Sequence, residues 1–313
     1  MDKPPFAFAV SRAEWRGGER GDMSTLAIGA VASAVYLIGS GLVFILGSSY
    51  YKLFPTNRSR PYKLALIAVA AVATWLLMRS GLNPACGLLA FAFLAAATAN
   101  VVGTAAVVHL HRPLRIRDDS LKGIALAKGL ESLTVVVTIG IFLLSYNVSL
   151  SSVYLAPGSL GLGFGIGGGG FALFALLAWL QGRTMGTAMP TVRRVLPWIL
   201  LFVFANAFME ELWFRALFLG PLVSLTGPIA AIVLTALVFA VIHIGASYMA
   251  KKDRAWFLAL LFVLGLAWGA CLHFTGSIIA STLFHAGADL MIVNGFVAAL
   301  HGAQTTGNGD QAA

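Results

Sequence analysis

The chain has 313 residues, of which 59% are hydrophobic and 11% charged, with a mean hydropathy of +0.87. Soluble domains carry about 25% charged residues, so this composition excludes a soluble protein and points to an all-α, polytopic transmembrane helical bundle. The net charge of +9 comes from Lys and Arg in short loops between apolar runs, where they set topology and meet anionic lipid rather than nucleic acid.

In chain order, residues 1–22 form a polar N-terminal tail, too charged to be the apolar region of a signal peptide. Met23 stands immediately before the first apolar run and is a candidate translation start. A span needs about 20 apolar residues. Runs that approach or meet this length occur at 25–47, 62–79, 84–108, 123–145, 160–181, 195–220, 228–250, 255–274 and 277–300, so about eight to nine membrane spans are expected. Only Thr275-Gly276-Ser277 separates the last two, which predicts a tight helical hairpin. The runs lack the period-2 alternation that a membrane barrel requires.

Basic residues fall in alternate loops. Lys52, Arg58, Arg60 and Lys63 follow the first run, and Arg112, Arg115, Arg117 and Lys122 the third. Arg183, Arg193 and Arg194 follow the fifth, and Lys251, Lys252 and Arg254 the seventh. These loops therefore read as cytoplasmic, with the N-terminus outside. Lys3, Arg12, Arg16 and Arg20 in the tail oppose that orientation.

Gly163, Gly165 and Gly168 match G-x-G-x-x-G, but inside an apolar span with no preceding strand. The nucleotide fingerprint needs a strand–turn–helix context, so close helix packing is expected here and no nucleotide. Cys86 and Cys271 are far apart, lie in apolar segments and form no metal-binding spacing.

The run near 195–221 contains Glu210-Glu211-Leu212-Trp213-Phe214-Arg215. One charged residue at a helix centre costs roughly 2.5–3.5 kcal/mol on insertion scales, so three within six positions need partners. Residues four apart share a helix face. Glu211 is thus expected to pair with Arg215, leaving Glu210 free. Phe239 and His243 repeat the spacing in the next run, as do His285 and Asp289 in the last.

Glu210, His243, His285 and Asp289 together supply a general base, hydrogen-bond donors and an orienting acid. That set suits attack of water on a carbonyl. It could equally hold a divalent metal such as zinc, with His243 and His285 as the favoured ligands, although no His-Glu-x-x-His motif is present. Lys128 and Glu131 read as a structural ion pair, His273 as an interfacial hydrogen-bonding residue, and His109, His111 and His301 as span-end residues without a role in the site.

These motifs resemble those of the CAAX-prenyl-protease and bacteriocin-processing (CPBP, or Abi) family of intramembrane proteases. Glu210-Glu211-Leu212-Trp213-Phe214-Arg215 resembles its Glu-Glu-x-x-x-Arg motif, Phe239-Ala240-Val241-Ile242-His243 its Phe-x-x-x-His, and His285-Ala286-Gly287-Ala288-Asp289 its His-x-x-x-Asn/Asp. Thr275-Gly276-Ser277-Ile278 also looks like the lead-in to the third motif. Ala216 and Ala240 stand where many members have Gly, and Asp289 replaces the more frequent Asn.

The resemblance implies a division into the tail 1–22, an N-terminal transmembrane extension 23–118 of about three spans, a protease-like core 119–302, and a polar tail 303–313. It implies an intramembrane endopeptidase in which Glu210 activates water with His243. His285 and Asp289 would stabilise the oxyanion or bind metal, and Glu211 and Arg215 would orient the site. It further implies a peptide or membrane-protein substrate, a lipid-embedded multi-pass location such as a bacterial plasma membrane, and a divalent metal as a possible cofactor. Two other functions are compatible with the sequence: a non-proteolytic immunity factor or scaffold of the same fold, and a proton-coupled transporter using the acidic residues as a relay. Inverted repeats, frequent in transporters, are not found.

Overall fold

The computed structural model describes residues 23–46, 56–110, 113–114, 116, 120–185, 189–245 and 251–307. Among the described residues there is no strand, and the architecture is a polytopic helical bundle. Helix α1 (Met23–Ser40) ends in a π-helical turn, Gly41–Leu46. It is followed by α2 (Thr56–Arg79), α3 (Pro84–Leu110), α4 (Leu121–Ser145) and α5 (Leu160–Thr184). Helix α6 (Met189–Glu210) runs through a second π-helical stretch, Glu211–Ala216, into α7 (Leu217–Thr226), making one long rod. The chain continues with α8 (Pro228–Val241), α9 (Arg254–Thr275) and α10 (Ile278–Gly307).

Among the described residues, seven helices are long and apolar enough to cross a membrane. Pro228–Val241 and the stretch Ile278–Asn294 are shorter apolar helices. The protein is thus an integral, multi-pass membrane protein. The rods correspond to the nine apolar runs of the sequence, with two differences. The seventh run was expected to be helical over 228–250, but α8 stops at Val241 and leaves Ile242–Gly245 in a turn. Conversely, α10 continues to Gly307, so the first residues of the expected 303–313 tail are still helical. The tail 1–22, Lys52, His111, Arg112, Arg115 and Arg117 lie outside the described residues.

The helices are apolar on most of their faces, so amphipathic periodicity does not orient them. Small residues and close approach do. Helix α3 is the most buried span, with Ala92, Ala95, Ala96 and Ala99 in the interior. Helices α2 and α5 lie at the periphery. Helix α5 packs along α10 through glycine: a Cβ at Gly167 would stand 2.7 Å from the Ala280 carbonyl oxygen, and one at Gly170 would meet the Phe284 ring at 2.6 Å. The glycine-rich run therefore serves helix packing, as its membrane context predicts.

The α9–α10 hairpin turns at Gly276 in the left-handed conformation (φ 67°), which glycine adopts without steric cost. The Thr275 hydroxyl donates to the Cys271 and Ser277 carbonyls and fixes the turn. The core is formed by α3, α7, α8 and α9, around Phe218, Leu222, Phe239 and Trp268.

Candidate active site

The three motifs converge where the α6–α7 rod, the end of α8 and the middle of α10 meet. Glu210 closes α6, and its side chain is 12% exposed. Glu211 and Arg215 follow in the π-helical stretch, both completely buried. A π-turn inserts an extra residue into the helix and recurs at functional sites. Here it turns Leu212, Trp213 and Phe214 into the core as well. The Trp213 indole N–H donates to the Ala96 carbonyl on α3 (3.2 Å), so the extension braces the stretch that carries the site.

The expected pairing within the first motif forms. The Arg215 guanidinium donates to Glu211 Oε1 in a short, charge-assisted contact. It also lies over the Phe239 ring, 4.2 Å from its centroid, and 5.0 Å from that of Trp268. Cation–π contacts of this kind stabilise a desolvated guanidinium by about 2 kcal/mol or more. Gly265 on α9 makes room, since a Cβ there would be 3.3 Å from Arg215 Nη2.

His285 links the two glutamates. Its Nδ1 is 2.7 Å from Glu211 Oε1, and since a carboxylate only accepts, Nδ1 carries the proton. Its Nε2 faces Glu210 Oε2 at 3.6 Å and Asp289 Oδ1 at 3.7 Å. The ring is stacked on Trp268, with centroids 3.9 Å apart and planes 10° from parallel, and presents its edge to Phe239. Asp289 is buried, and its Oδ2 accepts a 3.0 Å hydrogen bond from the Asn206 amide on α6.

His243 lies just past the end of α8 rather than within it. The expected helical spacing to Phe239 is replaced by a turn in which His243 Nδ1 donates to the Phe239 carbonyl at 2.8 Å. That bond fixes the tautomer and leaves Nε2 with its lone pair when the ring is neutral. His243 packs on Phe239 (4.6 Å), the same ring that His285 meets at 5.6 Å.

All six residues singled out by the motifs thus occupy one region. Asn206 and Trp268, which the motifs do not include, complete it. Asn206 is four residues before Glu210 and could have been found by the same spacing. Trp268 carries no sequence signal that separates it from other membrane tryptophans. Lys128 and Glu131 form their ion pair at 2.7 Å on α4.

A divalent ion at this site would be held through His243 and His285. Each imidazole has Nδ1 committed, so Nε2 would be the donor. Among the described residues no group of three or more His, Cys, Asp and Glu side chains is gathered as a metal ligand set.

Residues 192–291 match the family model described as Rce1-like: type II CAAX prenyl endopeptidase Rce1-like. This stretch runs from the start of the α6 rod to just beyond Asp289 and contains all six motif residues. It is an Rce1-like domain of the CPBP/CAAX protease family, as the motifs suggested. Neither the curated proteins nor the solved structures contain a match to the chain.

Proposed function

We propose that this Rce1-like domain hydrolyses a peptide bond within the membrane, using water activated by Glu210. The observation that carries the reading is the bridge made by His285, which holds the buried Glu211–Arg215 pair on one nitrogen and faces Glu210 and Asp289 with the other. A guanidinium and an imidazole are thereby fixed in place, while the partly exposed Glu210 carboxylate keeps its freedom to take a proton.

In this reading the water oxygen attacks the scissile carbonyl carbon. Glu210 accepts one water proton, and His243 Nε2 accepts a hydrogen bond from the same water and orients it. His285, protonated on both nitrogens, donates from Nε2 to the developing oxyanion, while Glu211 holds the ring through Nδ1 and Arg215 balances the Glu211 charge. Collapse of the tetrahedral intermediate breaks the C–N bond, and Glu210 returns its proton to the leaving amine. Asp289, held by Asn206, fixes the far edge of the His285 swing. Trp268 and Phe239 exclude water behind the ring, where the charge-assisted contacts gain strength.

The substrate is a peptide or membrane protein presented from the bilayer, and the family description points to CAAX-type prenylated substrates. The test is incubation of the detergent-solubilised full chain with a peptide library, with products read by mass spectrometry. Wild type should yield defined cleavage products and Glu210→Ala none. Products of the same sequence and amount from both proteins would overturn the assignment. A relay role in proton-coupled transport is disfavoured by the locked Glu211–Arg215–His285 contacts, because a relay must exchange partners during its cycle.

A further inference from the structure

The N-terminal extension lies outside the protease-family stretch and, with Leu225 of α7, lines a groove. Helices α1, α2 and α3 enclose a groove of about 570 Å³ lined by apolar side chains. That volume lies within the roughly 300–1,000 Å³ typical of small-molecule sites. The groove follows α1 from Ala27 to Val43, about 24 Å at helical rise. One end is marked by Ala27 and Leu77. At the other end Val43, Leu66 and Ala97 adjoin a small pocket lined also by Lys63 and Asn100.

Charge distinguishes this second end. Lys63 is only partly buried. In the sequence, residues 23–117 include no Asp or Glu, and Asp118 and Asp119 follow them. An apolar trough of membrane length that adjoins a lysine with no ion pair among the described residues is complementary to an amphiphile with an anionic head.

The groove is separate from the proteolytic site. None of Glu210, Glu211, Arg215, His243, His285 or Asp289 lines it. Tyr36 of α1 and Phe44 of its π-helical turn pack on Phe218 (5.3 Å) and Phe214 (4.7 Å) of the site-bearing rod. An occupant of the groove would therefore stand behind an aromatic wall from the reacting atoms, which does not suit the group beside a scissile bond.

We propose that the groove between α1, α2 and α3 binds one anionic phospholipid of the bilayer, with an acyl chain along the trough and the phosphate at Lys63. The lipid fastens the peripheral helix α2 to the bundle and so supports the α1 face that braces the Glu211–Ala216 stretch. The inference does not depend on the protein being a protease.

The test is native mass spectrometry of the full chain, delipidated in detergent and then given phosphatidylglycerol or phosphatidylethanolamine with identical acyl chains. One phosphatidylglycerol per chain should be retained, about fivefold in preference to phosphatidylethanolamine for the contribution of one lysine. Lys63→Gln, a change at a partly exposed position, should reduce that preference. Ala70→Phe with Ala73→Phe, which fills the trough, should abolish retention of either lipid while the protein still elutes as a single species. Should that variant fail to fold, Lys63→Gln alone decides. Equal retention of both lipids by wild type, an unchanged preference in Lys63→Gln, or undiminished retention by a folded groove-filled variant would each overturn the proposal. Displacement of the lipid by an equimolar farnesylated peptide would also overturn it and assign the groove to substrate.

Discussion

Arg215→Ala removes the cation from a pair whose two side chains are both fully buried. Breaking a buried ion pair by deleting one partner costs about 3–5 kcal/mol, because the other charge is stranded. The cation–π contacts to Phe239 and Trp268 involve the same group, so their loss overlaps with that figure rather than adding to it. The expected loss corresponds to between two and nearly four orders of magnitude in the folding equilibrium, a large share of a typical stability of 5–15 kcal/mol. Folded yield, read as the monodisperse fraction after graded heating in detergent, should fall sharply.

The cause can be separated from loss of packing. Glu211→Gln combined with Arg215→Met removes both charges at similar volume and leaves an oxygen to accept from His285. Neutral replacement of a buried pair is often tolerated, so this double variant should recover most of the folded yield lost in Arg215→Ala. It should still be inactive, because His285 loses the carboxylate that would support its imidazolium form. A double variant no more stable than Arg215→Ala would refute charge stranding as the origin of the effect.

Further outcomes follow from the same geometry. Asn206→Ala leaves Asp289 Oδ2 without its donor and should cost about 1–3 kcal/mol, with a fall in cleavage rate that persists in the surviving folded protein. Gly170→Leu should destabilise the α5–α10 contact by roughly 1–3 kcal/mol, because its Cβ would meet Phe284. Gly168→Leu, where a Cβ meets nothing within 4 Å, should be close to neutral in the same thermal assay. In the mechanism proposed, where Glu210 and His243 activate the water without an ion, chelation checked by elemental analysis should leave activity intact. Loss of activity on chelation, restored by zinc, would instead make His243 and His285 metal ligands.

Much of the site was legible in the sequence because charge is so costly in lipid. Glu210, Glu211, Arg215, His285 and Asp289 stand out against an apolar background, and the i, i+4 rule alone brings Glu211 to Arg215. The fold class was legible for the same reason: long apolar runs leave few alternatives to helices. What the sequence hid was local backbone geometry. Helices that are apolar all round give no periodic signal from which a π-turn at Glu211–Ala216 could be read. The end of α8 at Val241 was hidden because the apolar run continues through Ile242 and Ile244. There the His243 imidazole takes up the Phe239 carbonyl, satisfying a group that a continuing helix would have used. Trp268 stayed hidden because its role as a stacking floor for His285 depends on how α9 packs, and glycine at 265 permits that approach.

The central claim is that Glu210 activates the water that cleaves a peptide bond. The most direct measurement is cleavage of a farnesylated CAAX-type peptide by the full chain in proteoliposomes prepared in ¹⁸O-labelled water, wild type against Glu210→Gln. Wild type should release a product whose new carboxylate carries a single ¹⁸O. Glu210→Gln, which keeps the shape but cannot accept the proton, should be slower by about 10²–10⁴-fold, with its thermal profile unchanged because Glu210 is partly exposed and makes no close hydrogen bond to His285. A folded Glu210→Gln protein that cleaves at the wild-type rate and incorporates the same label would contradict the claim.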